Sequence, residues 1–128
     1  MQPSENNRTV EELFDMSRSG LHRLTRSEQL QSLMMRLLWE RLVTNLSEVV
    51  KVGKQNQRRL DQTNRNRSYL TDWDNLLDDP DRLISIHHHY DPELSGLYSN
   101  TPLLGIISQH DRDQMLDLLR DYRSMVNA

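Results

Sequence analysis

Leu30, Leu33, Met34, Leu37, Leu38, Leu42, Leu46, Val49 and Val50 recur at spacings of three and four. Gln31, Arg36, Glu40, Arg41, Asn45 and Glu48 fill the other side. Such spacing gathers the apolar residues of a helix into one stripe and turns the rest to water. Met35, Trp39 and Val43 widen the stripe, so contact with two neighbouring elements is expected rather than one. Thr25-Arg-Ser-Glu28 supplies a start, because a Thr hydroxyl and a Glu three residues later satisfy free backbone N–H groups.

Gly53 is the position where this helix could break, although one interior Gly costs only about 1 kcal/mol. No proline follows until Pro80. Heptads join Leu60 to Trp39, Leu46, Gly53 and Arg67, and a parallel row runs through Leu42, Val49, Asn56, Thr63 and Leu70. A buried Asn in such a seam lowers stability but fixes register. Tyr69, Leu70, Trp73, Leu76 and Leu77 restore the three-four pattern. Asp78-Asp-Pro-Asp81 ends it, since the residue before Pro disfavours helix. The pattern therefore predicts one long amphipathic helix over about 26–77, with Gly53 as its weak point.

Upstream, Thr9-Val-Glu-Glu12 is another capping box, opening a short helix with Val10, Leu13, Phe14 and Ser17 on one face and Gly20 as its stop. Residues 1–8 are polar and expected to be disordered. Downstream, the segment 78–107 holds Pro80, Pro92 and Pro102 and reads as irregular. Within it Leu83, Ile84 and Ile86 form a short strand or a helical turn, and Thr101-Pro102 has the form of a helix start. A final helix is expected at about 109–126, with Met115, Leu118, Leu119, Tyr122, Met125 and Val126 on one face. The fold class is all-α, a small helical bundle or helical hairpin, with residues 9–128 as a single helical domain.

Composition sharpens this picture. Four Gly and four Pro in 128 residues leave few turns, hence few and long elements. The absence of cysteine excludes disulfides, thiolate metal sites and cysteine nucleophiles. No apolar run approaches the ~20 residues of a membrane span. The opening MQPSENNRTVEE lacks the basic and apolar regions of a signal peptide. A soluble, cytoplasmic protein is expected.

Net charge is -3, but its distribution is uneven. Residues 51–71 carry six bases and one acid, and residues 72–93 carry seven acids and one base. Lys51, Lys54, Arg58, Arg59, Arg65 and Arg67 could neutralise phosphates, and the Asn and Gln between them could read base edges. No aromatic residue interleaves the block to stack on bases. The acidic segment also gives those charges a structural use, within one chain or between two.

His87-His88-His89 is the sharpest local feature. If 86–90 were extended, His87 and His89 would share a face and could join His110 or Asp91 as metal ligands. Adjacent histidines usually diverge and no HExxH spacing occurs, so no metal and no cofactor is expected. The acid pairs, such as Asp72 with Asp74 and Asp111 with Asp113, suit helix capping better than a catalytic pocket. No GxSxG and no Gly-rich phosphate loop is present. The expected function is a non-enzymatic helical protein–protein interaction module, adaptor- or chaperone-like, self-associating or binding a partner helix. Its contact face would comprise Leu33, Met34, Leu37, Trp39, Leu42 and Leu46 with Leu118, Leu119 and Tyr122. No membrane and no small-molecule substrate is expected. The alternative is a small dimeric nucleic-acid-binding regulator using the basic block. In general look the chain resembles small all-helical export chaperones and subunits of multiprotein complexes, a likeness of composition only.

Overall fold

Both capping boxes form. Thr9 accepts from the Glu12 N–H and Glu12 answers at the Thr9 N–H, opening helix α1 over Val10–Arg18. Thr25 and Glu28 do the same for α2, Arg26–Thr44. The computed structural model describes residues 8–62 and 67–127. Among them the chain is all-α with no strand. The remaining helices are α3 (Leu46–Gln62), α4 (Arg67–Leu77), α5 (Pro80–His88), α6 (Ser95–Ser99) and α7 (Gln109–Val126). Single 3-10 turns occupy Leu21–Arg23, Pro92–Leu94 and Leu104–Ile106.

α2 is the central element. α1, α3, α5, α6 and α7 all pack on it. Its buried residues run almost all round the helix, from Ser32 through Leu33, Met34, Met35, Leu37, Leu38 and Trp39 to Glu40 and Leu42. The apolar stripe is thus wider than two neighbours require. α7 lies antiparallel to α2, since Arg41 pairs with Asp111 at one end and Arg123 donates to Gln29 and the Arg26 carbonyl at the other.

The segment expected as one long helix over 26–77 is three helices. The break falls at Asn45 (φ -151°, ψ 52°), not at Gly53. Thr44 donates its hydroxyl to the Glu40 carbonyl at 2.7 Å, a bond that bends helices, and Asn is a poor helix former. Beyond the bend, α3 and α4 form an antiparallel hairpin. Its register is set by Lys54 with Asp78 (3.0 Å) and by Gln57, which donates to Asp74 and the Leu70 carbonyl. Gly53 packs closely on Leu77 across this hairpin and on Leu103. A Cβ there would stand 2.7 Å from Leu77 Cδ2 and 2.9 Å from Leu103 Cδ2, closer than carbon atoms approach. Its role is packing, and the helix continues through it. Asn56, assigned to a polar seam, donates to the Pro102 carbonyl at 2.7 Å inside its own chain.

Three further expectations are corrected. The segment 78–107 is less irregular than its prolines suggested, because Pro80 stands at the first turn of α5, where its fixed φ and missing N–H suit a helix. Asp79 caps that helix by accepting from the Arg82 N–H. Thr101 caps only a turn, accepting from the Leu103 N–H, and no helix starts there; α7 begins where expected, behind the N-cap Ser108. Met125 and Val126 are exposed, because the last turn of α7 passes beyond the first residue of α2. Residues 1–7, most of the expected disordered start, lie outside the described residues; Arg8 is held, its N–H and guanidinium both on the Glu40 carboxylate.

The core gathers around three fully buried rings, Trp73, His87 and Tyr98. Trp73 Nε1 donates to the Leu97 carbonyl and Tyr98 donates to the Ile86 carbonyl, so each ring is apolar in body and satisfied at its tip. Among the described residues no helix is long and apolar enough to cross a membrane.

Candidate functional site

The residues expected to meet a partner are mostly interior. Leu33 and Leu42 are fully buried in the single chain, and Met34, Leu37, Trp39, Leu119 and Tyr122 nearly so. Leu46 and Leu118 are half-buried against the same core. The physical reason is that α1, α5 and α7 cover the stripe of α2 from within one chain. This face is therefore not offered to a second molecule in the fold described.

The basic block is divided. Lys54 pairs with Asp78, and Arg58 lines a cleft with Lys54, Gln57, Asp74 and Asp78. Lys51 and Arg59 are exposed on the same outer side of α3. Arg65 and the Arg67 side chain lie outside the described residues.

The histidines are not assembled into a metal site. The helix continues to His88, so His87 and His89 diverge instead of sharing a strand face. His87 is buried, His89 is exposed beside His88, and His110 is exposed at the start of α7. Among the described residues no group of three His, Asp or Glu side chains is placed to hold a metal.

A site the sequence did not disclose lies at the α1–α2 corner. The end of α1, the connection to α2, the middle of α2 and the turn after α5 enclose a cleft of about 440 Å³. Ser17, Ser19 and Arg23 line it from the first side, Ser32 and Arg36 from α2, and Tyr90 and Pro92 from the turn. Met16, 40% exposed, forms part of its rim. Two arginines and three serines thus line the cleft, and among the described residues no acidic residue does.

Arg36 is the centre of this arrangement. Its Nε donates to Ser17 Oγ at 3.1 Å and its Nη2 to the His88 carbonyl at 3.0 Å. Both acceptors are neutral. Among the described residues Nη1 is buried without an acceptor. The guanidinium lies over the Trp39 ring at 5.1 Å, and Arg8 lies over that ring at 4.9 Å. Cations stack favourably on indole, which positions Arg36 without neutralising it. Glu40, the acid nearest along α2, is occupied by Arg8. Burial, with the charge of Arg8 second, holds the Arg36 pKa below its ordinary value. The same field acts on His88, lowered first by burial and then by Arg36, His89 and Arg8.

Tyr90 completes the wall. Its hydroxyl donates to Gln31 Oε1 at 2.6 Å, and Gln31 in turn donates to the Ser95 carbonyl and Ser99. Burial, then the charge of Glu28, pushes its pKa up to about 12, so it stays a neutral donor. Glu28 and Asp91 bring negative charge towards Tyr90, but each is engaged in capping backbone N–H groups. No protein-family model, curated protein or solved structure matches this chain.

Proposed function

We propose that the protein is a non-enzymatic helical interaction module, an adaptor- or chaperone-like subunit of the cytoplasm that binds a protein partner. The observation that carries this reading is the corner cleft, cationic and hydroxyl-lined with the flexible thioether of Met16 at its rim. Methionine at a rim adapts to varied apolar neighbours, while fixed polar groups inside confer selectivity. A surface segment of a partner carrying negative charge beside an apolar residue fits that combination. The wide stripe of α2, which would have served a partner helix, supports the fold that builds the cleft.

The chain has no cysteine, so a cysteine introduced at Ser19 carries a photo-crosslinker at one defined place. The same label at Asp117, exposed on α7, is the control. In lysate of the native host, a protein captured from position 19, absent from position 117 and lost on Arg36→Met is expected. Identical captures from both positions would overturn the reading.

A nucleic-acid role is the second reading. Its support is that Lys51, Arg58 and Arg59 are exposed on α3 and form no ion pair among the described residues. It predicts salt-sensitive binding that Arg58→Glu with Arg59→Glu abolishes, read by gel shift.

A further inference from the structure

We infer that the corner cleft recognises a phosphoryl group, borne on a phosphorylated side chain of the partner, with Arg36 as its anchor and Arg23 as its second cation. This rests on the interaction reading above and adds the chemistry of what is bound. The first argument is charge. Arg36 and Arg23 line the cleft, and among the described residues no acidic residue lines it and Arg36 has no acidic partner. A half-buried cation without a counter-charge is costly, and a ligand that brings the counter-charge recovers that cost. Two such cations match the -1.5 to -2 charge of a phosphoserine at neutral pH better than the single charge of a carboxylate.

The second argument is the donor set. A phosphoryl group offers three acceptor oxygens, and charge-assisted bonds from guanidinium groups to it are strong. Side chains of that kind line the cleft from separate segments: Arg23, Arg36, Ser17, Ser19 and Ser32. Ser17 already accepts from Arg36 Nε, which leaves its O–H free to donate onward. The third argument is rigidity. Stacking on Trp39 and two hydrogen bonds fix the Arg36 guanidinium before any ligand arrives, so little side-chain freedom is lost on binding.

The test is a backbone-amide NMR titration of the whole chain with O-phosphoserine and with inorganic phosphate. Acetate and chloride at matched ionic strength are the controls. Saturable shifts confined to residues 16–24, 32–36 and 90–92 are expected, with phosphoserine at least as tight as inorganic phosphate. Arg36→Met should weaken binding about tenfold or more, the scale of one lost charge-assisted contact. Arg23→Gln, on an exposed turn, should weaken it severalfold and keeps the test decisive if Arg36→Met does not fold. Equal shifts with acetate, binding of inorganic phosphate but not phosphoserine, or affinity unchanged in Arg23→Gln would each overturn the inference. Crosslinked capture at Ser19 that survives phosphatase treatment would overturn the phosphoryl assignment and leave the interaction reading standing. Phosphoserine binding with no protein captured would sink the interaction reading instead.

Discussion

Replacing Trp73 by Ala should remove most of the stability of the fold. The ring is 0% exposed, lies beside His87 and donates to the Leu97 carbonyl. Emptying a site of this size costs about 3–5 kcal/mol, and the abandoned carbonyl adds about 1 kcal/mol. Domains of this length have about 5–15 kcal/mol in total. Urea unfolding should therefore show a midpoint shifted far down, or no folded baseline at 37 °C. Trp73→Phe keeps most of the apolar volume and loses the indole donor, so it should lose about half as much or less. If Trp73→Ala unfolds within about 1 kcal/mol of the parent, the packing of α4 against α5 and α6 is not as described.

Mild acid should weaken the protein chiefly through His87, whose shift is the larger one. His87 Nδ1 lies 2.7 Å from the Leu83 carbonyl, which can only accept, so Nδ1 carries the proton and Nε2 is bare. Among the described residues Nε2 is buried without a partner. Protonating it would place a charge in the core with nothing to accept its N–H. Burial accordingly lowers the pKa to about 4, against a smaller opposing effect of the bond to Leu83. The unfolded chain takes up this proton near pH 6.5 and the folded one only near pH 4. The contribution of His87 is therefore present above pH 6.5, is lost as pH drops between these values, and changes no further below pH 4. The slope approaches 1.4 kcal/mol per pH unit, so urea unfolding at pH 5 should give about 2 kcal/mol less than at pH 7. His87→Leu, which fills the site without titrating, should flatten that interval whatever its own stability. An unchanged slope in this variant would place the titrating group elsewhere.

The parts of the fold that sequence disclosed are those set by neighbouring residues. Both capping boxes, the α2 stripe and the bounds of α7 depend on contacts within a few positions, and each formed where its residues stand. The break at Asn45 and the reversal between α3 and α4 depend on what those helices pack against. The heptads through Leu60 are equally consistent with a straight helix and with a hairpin that buries Gly53 on Leu77 and Leu103. Pro80 disfavours helix just before itself, where α4 ends, and its fixed φ suits the first turn of α5.

The cleft was least legible. Ser17, Arg36 and Tyr90 are far apart in sequence, and on the α2 wheel Arg36 and Glu40 fall on the side expected to meet water. Arg8 reverses that assignment by satisfying Glu40 and by covering Trp39 together with Arg36. A lone Arg preceding a helix gives no local sign of such a role. The residues of the stripe lie inside the chain for the opposite reason. Periodicity marks a face that must be buried, and it does not say whether the cover comes from the same chain or another.

The central claim is that this cover comes from the same chain, so that α2 and α7 form an interior and the corner cleft remains for binding. The most direct measurement is the thermal unfolding midpoint over a hundredfold range of protein concentration, from about 1 to about 100 μM. A single chain of 15.2 kDa that buries its own stripe should unfold at one temperature throughout. A midpoint that climbs with concentration would show that a second copy completes the core, and would contradict the account.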